Sequence, residues 1–441
     1  MLKAYKYKLT PNKEQIQYLA QTFGCARLLY NQLLNWWINE YATSKQNNTP
    51  MGKTPLVSYF KTQYSFLKDV DSLALMNSRR NFEAAIGNFI KSKQGKRKGK
   101  KVGFPIFKKK GVSKDSFTTN NVNDAIRIYG SKIKLPKVGY IPFVKHRPLP
   151  DNSRIISVNV SKSPSDKYYI SIIVEVPDKP VVYNEINNPN VVGLDMSLTH
   201  FVVDSDNTPD DTKTKYVKQY RKNERKLKRL QRILSRRELI PTGEMVYSKK
   251  YKKDVPKTER SKNREKARLK LAKLHQHISN CRRDFSIKQA LFYARNYDVV
   301  VIEDINLQDM KRTLTLGKFV SDLGFGMFKQ WLGYKCDEYG TLLVKADKWY
   351  PSSKMCNQCG ERNGMLKLSD REWVCPSCGS VIDRDYNAAG NLKDYYFNLK
   401  NNTVGTTGIN AYGDTASTIG DITPIASSII EVGNPQLYGG G

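Results

Sequence analysis

The sequence predicts a multidomain α+β protein, and three observations indicate this fold class. The 441 residues exceed one ordinary hydrophobic core, so two or three domains are expected. Short alternating segments near the N-terminus predict a β-barrel into which a helical domain is inserted. Farther along, apolar strands alternate with helices, and a frame of paired cysteines interrupts this second, α/β region.

The first part of the chain combines the barrel and the helical insertion. Residues 1–10 alternate in polarity and predict a strand, which would join further short strands of residues 102–185 in one small barrel. Residues 11–101 instead place apolar side chains at helical spacing behind the start signal Thr10-Pro11, and end in a basic tract. A helix bundle is therefore expected between the first strand and the rest of the barrel.

The second part, residues 186–350 and 380–400, predicts an α/β domain with acids at the ends of its elements. An apolar strand over 191–195 ends in Asp195, and a later apolar strand ends in Glu303. Between them lie two long basic helices with apolar seams, which should pack as a hairpin. A last helix starts near Asp385, and this order of elements is typical of a ribonuclease H-like domain.

A C-x2-C…C-x2-C frame within residues 351–379 predicts a tetrahedral metal site. A glycine follows each pair, as is usual for the tight knuckles of a structural zinc site. The predicted zinc ligands are Cys356, Cys359, Cys375 and Cys378. Cys25, Cys281 and Cys336 lie in apolar surroundings and are expected to be reduced core residues.

Charge predicts the kind of partner. Lys and Arg number 74 against 41 Asp and Glu, so the net charge is +33 and polyanions should be attracted. Nucleic acid is the expected partner, because no apolar run approaches the roughly 20 residues of a membrane span and no signal-peptide pattern is present. We therefore expect an intracellular, cytoplasmic protein without membrane binding.

Three acids on separate elements predict a site for divalent cations. Asp195, Glu303 and Asp385 are the candidate ligands, since magnesium prefers a few hard oxygen ligands and retains water. Two such ions about 4 Å apart, magnesium or manganese, would stabilise the attacking and leaving oxygens of a phosphodiester. The pattern thus favours a metal-dependent phosphodiester hydrolase, with zinc in a structural role.

These motifs, taken together, resemble the TnpB proteins encoded by small prokaryotic transposons, over nearly the whole chain. The resemblance is carried by the following segments: Tyr5-Lys-Tyr-Lys-Leu-Thr-Pro, Gly103-Phe-Pro-Ile-Phe-Lys, Gly-Leu-Asp195, Arg282-Arg-Asp284-Phe, Val-Ile-Glu303-Asp-Ile-Asn, Ser352-Ser-Lys-Met-Cys356, Cys375-Pro-Ser-Cys378-Gly and Asp383-Arg-Asp-Tyr-Asn-Ala-Ala. Compact type V CRISPR effectors share the same RuvC-type core. The resemblance implies an RNA-guided DNA endonuclease that cuts double-stranded target DNA beside a short adjacent motif.

The family also implies domain and residue assignments. The barrel (1–10 and 102–185) becomes a wedge domain, residues 11–101 a helical recognition domain, 186–350 with 380–400 a RuvC-like nuclease domain, and 351–379 a zinc ribbon that binds target nucleic acid. Asp385 is preferred to Asp383 as the third acid, because it stands two residues before Asn387. Asp383 then becomes a helix N-cap. Ser197 departs from the glycine often found there, and this position is expected only to set the turn.

Several basic and aromatic residues are candidate nucleic-acid contacts. They are Asn77, Arg79 and Arg80, for reading the adjacent motif; Lys3, Tyr5 and Lys6, for stacking and phosphate contact; and Arg225, Arg229, Arg232 and Arg384, for phosphates. An ordinary edge strand explains Lys3, Tyr5 and Lys6 equally well. Runs of charged residues, such as those of the long helices, more often form solvated helix faces. The density of one-signed charge favours phosphate tracking for the long helices.

The functional alternatives are a compact type V CRISPR effector, a nuclease-dead RNA-guided repressor and a direct transposase that uses no RNA. The acid triad argues against the repressor. One protein per guide RNA is the expected stoichiometry. Residues 401–441 are rich in Gly, Thr, Ser and Asn and predict a disordered tail.

Overall fold

The computed structural model describes residues 2–177, 188–197, 200–207, 211–237, 239–248, 253–304, 323–367 and 369–402. The chain divides into two compact units, one beginning at Met1 and the other at Lys179, and each has its own apolar core. Asn402, in the first part of the predicted tail, still belongs to a helix. Residues 403–441 lie outside the described residues, so the disorder of the tail stays a prediction.

An antiparallel sheet forms the body of the first unit. Its strands are β1 (Leu2–Leu9), β2 (Asp115–Asn120), β3 (Arg127–Tyr129), β4 (Lys132–Leu135), β5 (Gly139–Val144), β6 (Arg154–Lys162) and β7 (Tyr168–Glu175). They are ordered β2-β6-β7-β1-β5-β4-β3, so the N-terminal strand joins the later ones as predicted. In the part of the chain that the structure describes, no pairing joins β2 to β3. The sheet is therefore a half-barrel with two edges, where the sequence predicted a small β-barrel.

Three helices lie between β1 and β2 along the chain: α1 (Lys13–Asn47), α2 (Val57–Gln63) and α3 (Ser72–Lys93). Asn12 caps α1, because its side chain accepts from the Gln15 backbone N–H (2.8 Å) while the Gln15 side chain accepts from the Asn12 N–H (3.1 Å). Asp71 caps α3 in a similar way. The three helices share an apolar core, and α1 and α3 also pack on the sheet.

The second unit is built on a largely parallel sheet. The described strands of the whole unit are β8 (Val191–Asp195), β9 (Val203–Asp204), β10 (Leu239–Ser248), β11 (Lys253–Arg260), β12 (Val299–Glu303), β13 (Leu342–Ala346), β14 (Glu372–Val374) and β15 (Val381–Asp383). Its helices are α4 (Asp211–Ser235), α5 (Lys262–Asn296), α6 (Phe325–Tyr339) and α7 (Arg384–Asn402). The main sheet is ordered β13-β12-β8-β9, and β9 alone runs antiparallel to its neighbour.

Helices cover both faces of this sheet. Side chains on one face of the sheet, such as Val192 and Ile302, pack with α5 and α6. Side chains on the opposite face, such as Val191 and Val301, pack with Leu392 on α7. Because successive strand residues point to opposite faces, the run of apolar residues in β8 and β12 is what burial on both sides requires.

The two basic helices pack against each other, as predicted, and a hairpin that was not predicted joins them. In α4 the side chains of Leu227, Leu230 and Leu234 are half-buried, and α4 contacts α5. The hairpin consists of β10 and β11, which pair antiparallel with an irregularity after Pro241. Among the helices within the described ranges, none is long and apolar enough to cross a membrane.

Candidate active site and metal centre

The ends of β8 and β12 place two acids side by side. The strands are parallel, Leu194 pairs with Ile302, and Asp195 and Glu303 each follow one residue later. Alternate residues of a strand point to the same face of the sheet. Asp195 and Glu303 therefore lie on the same face as Val191 and Val301, which is the face that α7 covers. Neighbouring strands lie about 4.8 Å apart, which brings these two carboxyl groups into one site.

The first turn of α7 brings Asp385 to the same place. Asp383 caps the helix, since its Oδ1 accepts from the backbone N–H groups of Asp385 (2.9 Å) and Tyr386 (3.0 Å). The predicted cap is therefore present. Close approach of α7 depends on Gly193, where a Cβ would lie only 2.0 Å from the backbone oxygen of Ala389. Without this glycine the helix could not lie directly on β8.

The charges of Asp385 and Glu303 both act on Asp195. The pKa of Asp195 is raised to about 7: burial contributes most, the charges of Asp385 and then Glu303 add to the rise, and Arg384 opposes it. Burial likewise raises the pKa of Glu303, against a lowering by the Ser352 hydrogen bond and the Lys329 charge. Three carboxyl groups that repel each other in a buried site are a donor set that a divalent cation would stabilise.

Two buried serines donate to these acids, and neither contact was predicted from sequence. The Ser197 hydroxyl donates to Asp385 Oδ2 at 2.8 Å, and the Ser352 hydroxyl reaches Glu303 Oε1 at 3.4 Å. The residues are 5% and 4% exposed, respectively, so water has little access to either bond. Ser197 therefore does more than set a turn: it connects the end of β8 to the first turn of α7.

Three cations surround the acids. Arg371 Nη1 lies 3.4 Å from Asp385 Oδ1. Arg384 donates to the backbone oxygen of Lys367 (3.3 Å), and its charge lowers the pKa of Asp195. Lys329, on α6, lies 3.7 Å from Asp304 and acts on Glu303. Sequence reasoning identified Arg384 alone; Arg371 and Lys329 carried no motif that would have singled them out.

The four predicted cysteines form one cluster. Their sulfur atoms all lie within 4.8 Å of one another. Cys356 Sγ is 3.7 Å from Cys378 Sγ, and Cys359 Sγ is 3.6 Å from Cys375 Sγ. A tetrahedral ion with metal–sulfur bonds of about 2.3 Å requires sulfur separations of roughly 3.8 Å, whereas a disulfide requires about 2.05 Å. The spacing thus suits a metal ion.

Amide side chains connect this cysteine cluster to α7. Asn387 Oδ1 accepts from the Asn357 N–H (2.8 Å), and Asn387 Nδ2 donates to Met355 O (2.6 Å). One turn later, Asn391 Nδ2 also donates to Met355 O (2.6 Å). Both residues are buried, and Asn387 is two positions from Asp385. The position of the third acid therefore depends on the first cysteine knuckle.

The predicted arginines of α4 lie on one exposed face. Arg225, Arg229 and Arg232 are spaced by four and three residues, which is one helical stripe. A surface cavity of about 530 Å³ is lined by this stripe and its neighbours: Arg225, Lys228, Arg229, Arg232, Ile233 and Arg236. The stripe offers several cations in a row to an extended polyanion.

The candidate contacts of the first unit are mixed. The Asn77 amide donates to Thr118 O (3.0 Å) and Asn120 Oδ1 (2.7 Å), so its donors bind the sheet internally. Arg79 pairs with Glu83 at 3.0 Å, and Arg80 is exposed. These placements leave Arg80 as the most accessible of the three, and their role in reading DNA stays a prediction.

The predicted aromatic and basic residues of β1 are found near the surface of the sheet. Tyr5 is stacked by the Arg147 guanidinium at 4.5 Å, and the Lys6 ammonium lies 4.9 Å from the Tyr169 ring. Lys3 is half-buried. The alternative interpretation of this segment as an edge strand is wrong, because β1 lies between β7 and β5 in the sheet. Nucleic-acid contact by these residues stays a prediction.

Known proteins resemble this chain in sequence. A protein of Streptomyces pristinaespiralis, named as an RNA-guided DNA endonuclease, is 30% identical over 393 residues, which cover 88% of each chain. The chain belongs to the TnpB family of RNA-guided DNA endonucleases. A second TnpB-family relative, InsQ of Escherichia coli, also carries the RNA-guided DNA endonuclease name; it is 28% identical, with 89% of this chain and 91% of InsQ covered.

Two family profiles match parts of this TnpB-family chain. The Cas12f1-like TNB domain matches residues 325–392, from α6 through the cysteine cluster into α7. The helix-turn-helix domain of OrfB/IS605 proteins matches residues 1–46, which here comprise β1 and most of α1. A solved Cas12f1–sgRNA–target DNA complex aligns over 89% of this chain and 99% of its own, with 15% identity and a TM-score of 0.31.

Proposed function

We propose that this TnpB-family protein is an RNA-guided DNA endonuclease whose catalytic site for target DNA consists of Asp195, Glu303 and Asp385. The observation that supports the proposal is that Asp195, at the end of β8, feels the charges of both Glu303, at the end of the neighbouring β12, and Asp385, at the start of α7. The sheet order, with its antiparallel edge strand β9, supports a ribonuclease H-like, RuvC-type assignment for this domain. Family membership supports the guide RNA and the double-stranded DNA target.

Magnesium or manganese fits the donor set. Three carboxylates and two serine hydroxyls supply only hard oxygen atoms, and no softer ligand is found among the described contacts of the three acids. When bound, two such ions would activate water and neutralise the charge that develops on the phosphate. Asp195, Glu303 and Asp385 would hold them.

The chain's own residues hold and orient the acids and draw in the phosphate. Ser197 fixes one oxygen of Asp385, and Ser352 orients Glu303. Arg371, Arg384 and Lys329 approach from separate elements and would attract a phosphodiester into the site. Because Asp195 is half-buried, these interactions act where water screens them less than at the open surface.

Zinc is the proposed occupant of the cysteine cluster, which would make residues 351–379 a zinc ribbon. Four thiolates at this spacing select zinc over magnesium, and a closed four-cysteine site is structural. Asn387 and Asn391 would transmit the ribbon's position to α7. Zinc thereby supports the nuclease site without entering the chemistry.

We assign guide and target binding to the basic surfaces. The α4 stripe would follow a phosphate backbone, and the half-barrel (1–10 and 102–185) with the helices of 11–101 would hold the guide RNA. In this arrangement base pairing reads most of the target, and the protein reads only the adjacent motif. Arg80 is the exposed candidate for that reading.

The test is to purify the protein with its RNA and measure cleavage. RNA should co-purify, and ribonuclease treatment should abolish cutting of a matched duplex. Asp195→Ala and Glu303→Ala should abolish cleavage while target binding survives, whereas the exposed Glu372→Ala should leave both intact. Sequencing the bound RNA would identify the guide.

Two outcomes would overturn the proposal. Cleavage that persists after complete removal of RNA would instead indicate a direct transposase. Loss of binding together with cleavage in both alanine variants would show that these acids hold the fold rather than metal. Magnesium titration of the wild type, with chelator as the control, tests the metal requirement separately.

A further inference from the structure

Trp349 is an exposed aromatic side chain beside the acid cluster that the proposed chemistry does not use. Its exposure is 81%, whereas the other four tryptophans are buried or half-buried. Tryptophan is normally well buried, so an exposed ring carries a solvation cost. Such a ring is expected to have a partner that the free protein lacks.

The backbone on both sides of Trp349 is held in place. Asp347 Oδ1 accepts from the Trp349 N–H at 2.7 Å, and the Asp347 N–H donates to the Tyr395 hydroxyl on α7 at 3.2 Å. The Tyr350 hydroxyl donates to Asn391 O at 3.0 Å, and its ring packs edge-on against that of Tyr395. An exposed ring on an anchored turn loses little freedom when it binds.

This turn lies next to the acids. Ser352, which contacts Glu303, stands three residues after Trp349. Three residues span at most about 11 Å, so the ring is within the reach of a strand whose phosphate occupies the acid site. The ammonium of Lys348 lies 5.0 Å from the ring and adds a positive charge beside it.

We infer that Trp349 is a stacking platform for one base of the single DNA strand that enters the acid site. An aromatic face with an adjacent cation matches a nucleobase and its phosphate. A protein partner would also use an exposed tryptophan, but the basic surroundings and the nearby acid site favour nucleic acid. The inference rests on the proposed function for the identity of the strand, and on the exposed ring for the site itself.

The first experiment needs neither guide RNA nor cleavage. A single-stranded DNA oligonucleotide that contains 5-iodouracil is irradiated with the full-length protein, and crosslinked tryptic peptides are identified. The crosslink should fall in the peptide from Trp349 to Lys354, disappear in Trp349→Leu and persist in Trp349→Phe. Unchanged crosslinking yield in Trp349→Leu would overturn the inference.

The second experiment uses the guide-loaded complex. Trp349→Leu should weaken single-strand engagement by about 5- to 150-fold, seen as a raised KM for strand cleavage, while duplex target recognition is unchanged. Trp349→Phe should recover most of the effect. Met245→Ala, which alters a side chain on β10 that is 61% exposed, is the matched control and should have no effect.

The two proposals can fail independently. If wild-type protein crosslinks through Trp349 but never cleaves a guided target, the stacking site stands and the proposed function fails. If guided cleavage is normal in Trp349→Leu, the stacking site fails and the proposed function stands. Loss of binding to another protein alone, with crosslinking unchanged, would assign the ring to a protein interface and overturn the inference.

Discussion

Replacing Ser197 with alanine should weaken metal binding without unfolding the protein. The change removes the only hydroxyl that the described contacts place on Asp385, at 2.8 Å and 5% exposure. A hydrogen bond to a charged group contributes about 1.5–3 kcal/mol, which corresponds to roughly 10- to 150-fold in affinity. Removing a residue that hydrogen-bonds to a metal ligand typically lowers metal affinity by about 10–100-fold, which agrees with this range.

The assay is direct titration with Mn²⁺, followed by the Mg²⁺ dependence of single-turnover cleavage. Ser197→Ala should raise the half-saturating metal concentration about 10–100-fold, and Ser197→Thr, which keeps the hydroxyl, should recover part of it. Ser286→Ala is the matched control. That serine is also buried, but its hydroxyl donates to the Arg282 backbone oxygen, away from the acids.

The proposed role of the Ser197 hydroxyl would be refuted by unchanged metal affinity in Ser197→Ala. It would also be refuted if Ser286→Ala and Ser197→Ala lowered the melting temperature and the metal affinity equally, because the serine would then act only on stability. Manganese binding is measured without DNA, so this test does not depend on the guide RNA.

Three further predictions concern the site. Gly193→Ala should displace α7, because the new Cβ would meet the Ala389 oxygen at 2.0 Å; we expect about 1–3 kcal/mol of lost stability and loss of cleavage, measured by denaturation and activity. Cys375→Ser should release zinc, measured by elemental analysis, and reduce cleavage more than RNA binding. Asp195→Asn should stabilise the metal-free protein above pH 7 by up to about 4 kcal/mol, since its pKa rises from 3.8 to about 7.

The sign of the pH effect follows from the raised pKa of Asp195. Below about pH 4 this group is protonated in both the folded and unfolded states, so Asp195→Asn should change stability little. Between pH 4 and 7 only the unfolded chain loses the proton, which destabilises the folded state progressively. A stabilisation at pH 4 as large as that at pH 8 would contradict this account.

Controls separate local from general damage in the other two variants. Gly333→Ala places a Cβ 3.8 Å from Leu343, an ordinary contact, and should be tolerated. Equal losses in Gly193→Ala and Gly333→Ala would contradict the close-approach argument. Retained zinc in Cys375→Ser would show that three of the cysteines suffice.

Local patterns identified what depends on neighbours in the sequence. An apolar run that ends in an acid predicts a strand terminus wherever the run is buried on both faces, so Asp195 and Glu303 could be found without coordinates. The cysteine pairs were recognisable by their spacing. The Asp383 cap followed from the polar residue at a helix start.

Contacts between distant residues could not be read from the sequence. Ser197 and Asp385 are 188 residues apart, and only the packing of α7 on β8 brings them together. The β10–β11 hairpin was missed because charged residues and prolines in it hide any alternation. The half-barrel has open edges because closure depends on strand geometry that alternation alone does not encode.

The attachment of the cysteine knuckle to α7 affects how the newly synthesised chain folds in the cell. Since Met355 accepts hydrogen bonds from both Asn387 and Asn391, the knuckle adds a second anchor to the helix that bears Asp385, beside the packing of that helix on β8. A nascent chain short of zinc would lose this anchor and hold the third acid less firmly. The number of copies able to cut DNA would then follow the zinc supply.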